Sequence, residues 1–257
     1  LPNTWSDGPI VIRFRSIAGL REHATEMIHQ INDHQPMVNG RQPSTSLAGW
    51  TIFTFLCLMV GWVAAWILKL MLETLAPWTT ASVASFIYWT LAKLLLWVFP
   101  ALWLIHLSGR SLAQVFNLQN YRSWLFWGGG IGLATGATEF VPNYLNGRSL
   151  LPTQWSYALA NVLFVAPTFE ELLMRGAVLA NLERQYSFWR ANVLTSLMFV
   201  ILHLPGWYFM NSLLDNFCKP IGGAGSIFLA SLAFGYAAKR SHSVMGGVLS
   251  HLINNLA

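Results

Sequence analysis

Charge is scarce in this chain. Only 10% of its 257 residues are charged, well below the roughly 25% of ordinary soluble domains. Four of the ten Asp and Glu fall in residues 1–49, which leaves six for the remaining 208. That scarcity excludes a soluble globular protein, and the 54% hydrophobic content places the chain in a membrane. Cysteine is nearly absent. Cys57 in an apolar run and Cys218 in a connection have no metal-ligand spacing and are too few for a disulfide framework, so both read as free thiols. A His-Glu-x-x-His pair, an internal repeat and any nucleic-acid motif are missing as well. The glycines of "WGGGIG" (127–132) have no strand or lysine context for a phosphate loop and read as sites of close helix packing.

Apolar runs and aromatics are plentiful. Seven segments, about 51–72, 82–107, 121–141, 155–181, 190–210, 222–238 and 243–257, are each near the ~20 residues needed to span a bilayer. The last is short, as though the sequence stops inside a helix, which leaves room for an eighth. The thirteen Trp suit anchoring at the lipid interfaces. The expected fold is therefore an all-α, polytopic transmembrane bundle over 50–257. Residues 1–49 form a polar segment in which Ile17, Leu20, Ala24, Met27, Ile28 and Ile31 recur at helical spacing. This predicts an amphipathic helix ended before Pro36, packed on the bilayer surface or the membrane domain, with docking of a membrane-protein partner as the alternative.

Of the fifteen Lys and Arg, ten lie on the side carrying the N-terminus, and three (Lys69, Arg148 and Lys219) lie on the other side. The bias predicts a cytoplasmic N-terminus and accounts for the net charge of +5 without nucleic acid. The remaining two, Lys93 and Arg175, fall inside expected spans.

Ionisable groups inside a membrane cost at least a few kcal/mol and are functional candidates by default. They cluster in the stretch "PTFEELLMRG" (167–176), at His203, and at His251 with Asn254 and Asn255. Glu171 and Arg175 are four apart on one helical face and are expected to form a buried ion pair. Glu170 is rotated by about 100° and lacks that partner. A desolvated carboxylate without a salt bridge suits proton exchange, as a general base requires. Pro167 and the Thr168-x-x-Glu171 box predict a kink or a restart of the helix that aims free N–H groups at the site. Pro205 releases a carbonyl one turn before it, again as beside a cavity. At ~1.5 Å per residue, all three clusters lie at depths that one pocket in the cytoplasmic half can contain. Lys93 is expected to meet a carbonyl or an acidic partner.

"EELLMR" fits Glu-Glu-x-x-x-Arg, "FVILH" fits Phe-x-x-x-His and "HLINN" fits His-x-x-x-Asn. In this order on separate membrane helices, they resemble the CPBP (Abi) family of CAAX prenyl endopeptidases and bacteriocin-processing or immunity proteins, over about 155–255. The resemblance implies an intramembrane endopeptidase in which Glu170 and His203 activate a water while His251 and Asn255 stabilise the oxyanion. Phe199 then serves as a packing wall. The expected chemistry is metal-free. Zinc held by Glu170, His203 and His251 is the alternative, since two His and a Glu form a ligand set of catalytic zinc sites. The substrate is a peptide or membrane-protein segment, and a prenylated C-terminus is not distinguished from a leader peptide. The alternatives from other classes are a noncatalytic binding, immunity or assembly protein using the same fold, and a proton-coupled transporter.

Overall fold

The computed structural model of the chain describes residues 45–256, apart from 148 and 150. The expected amphipathic helix and its partner-docking role lie outside the described residues. Helices occupy all seven expected segments, and no strand occurs among the described residues. The chain folds as an all-α bundle. In chain order the helices are α1 (Thr45–Leu75), α2 (Ser82–Leu107), the short α3 (Leu112–Phe116), α4 (Tyr121–Leu145), α5 (157–182), α6 (Phe188–Phe209), the short α7 (Leu213–Cys218), α8 (Ala224–Ser241) and α9 (Val244–Leu256). Leu47–Leu75, Ser82–Leu107 and Phe188–Phe209 are long and apolar enough to cross a membrane.

Prolines shape the two helices that carry the central charges. A proline cannot donate to the carbonyl four residues back and clashes with it. In α2, Pro100 would meet the carbonyl of Leu96, and in α5, Pro167 that of Leu163. In both places the helix widens to a π-helical stretch, over Leu94–Val98 and Asn161–Val165, and runs on. The expected restart at Thr168 does not occur: residues 165–172 are helical throughout and no side chain caps them. π-Widening absorbs the missing bond locally, so no free helix N-terminus is needed. A third π stretch, Leu172–Leu179, follows the two glutamates, and all eight of its residues are buried.

That burial makes α5 the central helix. It packs against α2, α6 and α9, and its apolar side chains join the core of Phe55, Trp62, Leu104, Phe199 and Val248. On the far side of α9, small residues bring the backbone of α4 close. A Cβ on Gly128 would stand 2.8 Å from the Gly246 carbonyl, and one on Gly132 2.8 Å from the Ile253 Cβ. Gly128 and Gly132 thus work as close packing, whereas Gly129 and Gly130 face open space. α1 turns the opposite way: Phe53, Leu56, Val60 and Met71 are each more than half exposed. An apolar surface of this extent belongs against lipid, and the protein is an integral membrane protein. Cys57 and Cys218 are free and exposed.

Candidate active site

The two adjacent glutamates of α5 point into different surroundings. Glu171 is fully buried, and its Oε1 accepts from Arg175 at 2.9 Å and faces His251 Nδ1 at 3.0 Å. Arg175 also donates to the carbonyl of Ser231 at 2.5 Å and to its hydroxyl at 2.7 Å, which ties α5 to α8. Its guanidinium lies 5.1 Å from the ring centre of Phe199 and 5.8 Å from that of Phe234, so apolar faces close the pair off from solvent. His251 is stacked on Phe234 with ring centres 4.9 Å apart.

Glu170 is buried but loosely held. Lys93 Nζ is 4.0 Å from its Oε1 and His251 Nε2 is 3.9 Å from its Oε2, both longer than a hydrogen bond. Glu170 and His203 line one cavity of about 700 Å³ whose walls carry Trp62, Trp66, Trp89, Trp97 and Trp207. Lys93 and Asn161 also line it, and Lys93 donates to Asn161 Oδ1 at 3.1 Å. The indole Nε1 atoms of Trp66 and Trp97 are buried without a hydrogen-bond partner.

Partners settle the histidine tautomers. His203 Nδ1 lies 2.8 Å from the Phe199 carbonyl, which can only accept, so Nδ1 carries a proton and Nε2 is the ring nitrogen left for other partners. His251 Nδ1 donates to Glu171 in the same way, and its Nε2 faces Glu170. Phe199, itself buried, thus holds His203 through its backbone, with its ring edge-on to both imidazoles at 5.0 and 5.8 Å.

The structure does not gather every residue that the sequence grouped. Glu170 and His203 share the cavity, and His251 reaches it through Glu170. Asn255 instead gives its amide to the Val162 carbonyl at 2.9 Å and is not among the cavity-lining residues. Among the described residues, no group of three His, Cys, Asp or Glu is placed to hold a metal. The cavity also extends from Glu170 past Ser85 and Tyr157 to Thr80 and Met210. These residues mark the end of the bundle where α1 meets α2. Lys93 and Asn161 escaped assignment from sequence; the signal was a lysine in mid-span.

Residues 152–257 match the family model described as Type II CAAX prenyl endopeptidase Rce1-like. No curated protein and no solved structure matches the chain. The matched segment contains α5 to α9 and all three motifs, whereas the cavity walls from α1 and α2 lie outside it.

Proposed function

We propose that the chain is a CAAX protease (CPBP) family member, a reading supported by the match of residues 152–257, and that it hydrolyses a peptide bond within the membrane, with Glu170 as the base that activates water. The observation that carries this reading is the division of labour between the glutamates. Glu171 is engaged at hydrogen-bond distance through its Oε1 by Arg175 and His251, whereas Glu170 faces an aromatic-walled cavity with no charged partner closer than 3.9 Å. A base must be buried enough to be selective and uncommitted enough to take a proton.

A water between Glu170 and the Nε2 of His203 gives one proton to Glu170 as its oxygen adds to the scissile carbonyl carbon. The His203 lone pair orients that water. When the C–N bond breaks, the proton on Glu170 passes to the departing amine. His251, held by Glu171, is set beside Glu170, and a protonated His251 can donate to a developing negative charge. Asn255 contributes to that site only if its amide leaves Val162. Every step is supplied by side chains, and metal-free cleavage is part of the proposal.

The substrate is a peptide or membrane-protein segment that enters the aromatic-walled cavity. The Lys and Arg bias supports a cytoplasmic N-terminus, and on that orientation the cavity is entered from the opposite side of the membrane. Comparing wild type, Glu170→Gln and His203→Ala in detergent against a pooled peptide library, with and without chelator, tests the reading by mass spectrometry of new termini. Cleavage by wild type alone, unaffected by chelator, is expected. Chelator-sensitive cleavage returns zinc, and equal cleavage by Glu170→Gln removes the assigned base.

A further inference from the structure

We propose that Lys93, on α2 and outside the segment that matches the family, stabilises the oxyanion of the tetrahedral intermediate; this rests on the hydrolytic reading above. The donors that the motifs offer are largely committed. The Nδ1–H groups of His203 and His251 go to the Phe199 carbonyl and to Glu171, which leaves a protonated His251 Nε2 as the one motif donor beside Glu170. The amide of Asn255 is given to Val162. An oxyanion needs a preorganised donor beside the attacking water.

Lys93 meets that need. It is 9% exposed, lines the cavity, and stands 4.0 Å from Glu170 Oε1. At that distance the ammonium is near the base without being consumed by a hydrogen bond to it. Of its three N–H donors, one goes to Asn161 Oδ1 at 3.1 Å. The face of Trp97, 5.0 Å away, steadies the charge and leaves donors for a ligand. Both partners sit at π-widenings: one begins at the residue after Lys93 and the other at Asn161 itself. Such bulges are frequent at functional sites, where they re-aim a side chain.

The step balances. The water oxygen bonds to the carbonyl carbon, one water proton moves to Glu170, and the C=O electron pair moves onto the oxygen facing Lys93. On collapse the C=O bond re-forms, the C–N bond breaks, and Glu170 returns the proton to the amine. Lys93 keeps its protons throughout, acting as an electrostatic donor rather than an acid.

The test uses the full chain in detergent and a pooled library of quenched fluorogenic peptides, with and without a farnesylated cysteine. Any peptide cleaved by wild type is carried forward to Lys93→Met, Lys93→Arg, Lys93→Gly and Glu170→Gln, with folding checked by gel filtration. Loss of one oxyanion donor lowers kcat by about 10²–10³-fold. Lys93→Met is therefore expected to show that loss with KM within about threefold of wild type, and Lys93→Arg to recover part of it. Butylammonium should restore Lys93→Gly saturably, whereas tetramethylammonium, which has a charge but no N–H, should not; a merely structural lysine predicts no such difference. A Lys93→Met kcat within threefold of wild type, or equal rescue by both cations, overturns the assignment. If Glu170→Gln is dead in that case, the protease reading survives it. A wild-type protein that cleaves nothing in the library overturns both. Should Lys93→Gly fail to fold, the kcat of Lys93→Met decides.

Discussion

Two sides of α5 carry the same residue type one position apart and treat it in opposite ways. On the Glu171 side, Arg175 and His251 both reach Oε1 at hydrogen-bond distance, Ser231 and two phenyl faces hold the guanidinium, and Oε2 and Arg175 Nε are buried without a hydrogen-bond partner. On the Glu170 side, a cavity of about 700 Å³ separates the carboxylate from an aromatic wall, and its cationic and imidazole neighbours stand at 3.9–4.0 Å. A carboxylate paired at hydrogen-bond distance holds helices together, and one that is buried but only approached can exchange a proton. Adjacent sequence positions thus take on scaffold and chemistry because a helix turns them towards different neighbours.

The sharpest way to test that contrast is to neutralise each glutamate separately. Glu170→Gln should remove cleavage by about 10²–10⁴-fold, the range of general-base catalysis, while the thermal unfolding midpoint in detergent stays near wild type. Glu171→Gln should do the reverse. It leaves Arg175 with a buried, uncompensated charge, and breaking a buried pair from one side costs about 3–5 kcal/mol. A large fall in melting temperature or yield is the expected result, and Glu171→Gln that melts like wild type would break the comparison. Gly247→Ala is a milder probe of the same side. Its Cβ would stand 2.6 Å from Glu171 Oε2, and overpacking of that kind costs about 1–3 kcal/mol. Partial destabilisation is expected, with residual cleavage by the folded fraction.

The smallest energetic effect belongs to the cavity side. In a protein with Cys57 and Cys218 changed to Ser, Ser85→Cys should fold normally and react with a membrane-impermeant maleimide only from the face opposite the N-terminus. Labelling from the N-terminal face would reverse the assigned direction of entry.

Much of the fold was legible in the chain. The seven helical segments fall where apolar runs were found, most ends lying within four residues of the expected ones, because a spanning segment must be apolar over a length set by the bilayer. α1 begins earlier, at Thr45 rather than 51, since backbone helicity continues past the apolar stretch. The short helices α3 and α7 were invisible to an apolar-run criterion. α3 is announced only by its Ser111 and Gln114 capping box.

The site divides along the same line. The Glu171–Arg175 pair could be read from sequence because both residues lie one turn apart on one helix, and local geometry alone brings them together. The proline effect was half legible. Pro167 did disturb the helix, but whether the chain restarts or widens depends on neighbours that cover the freed carbonyl.

By itself, then, the sequence determined the membrane class, the helical segments, the three motifs and the local ion pair, each of which depends on composition or on spacing within one helix. Only the tertiary structure decided that Lys93 faces Glu170, that His251 bridges towards both glutamates, that Asn255 turns to Val162, and that the cavity reaches the α1–α2 end. In a soluble helix a polar face would have marked the rotation. Here lipid and core are equally apolar, so the hydrophobic pattern leaves each helix's rotation open, and small residues and polar contacts between helices set it.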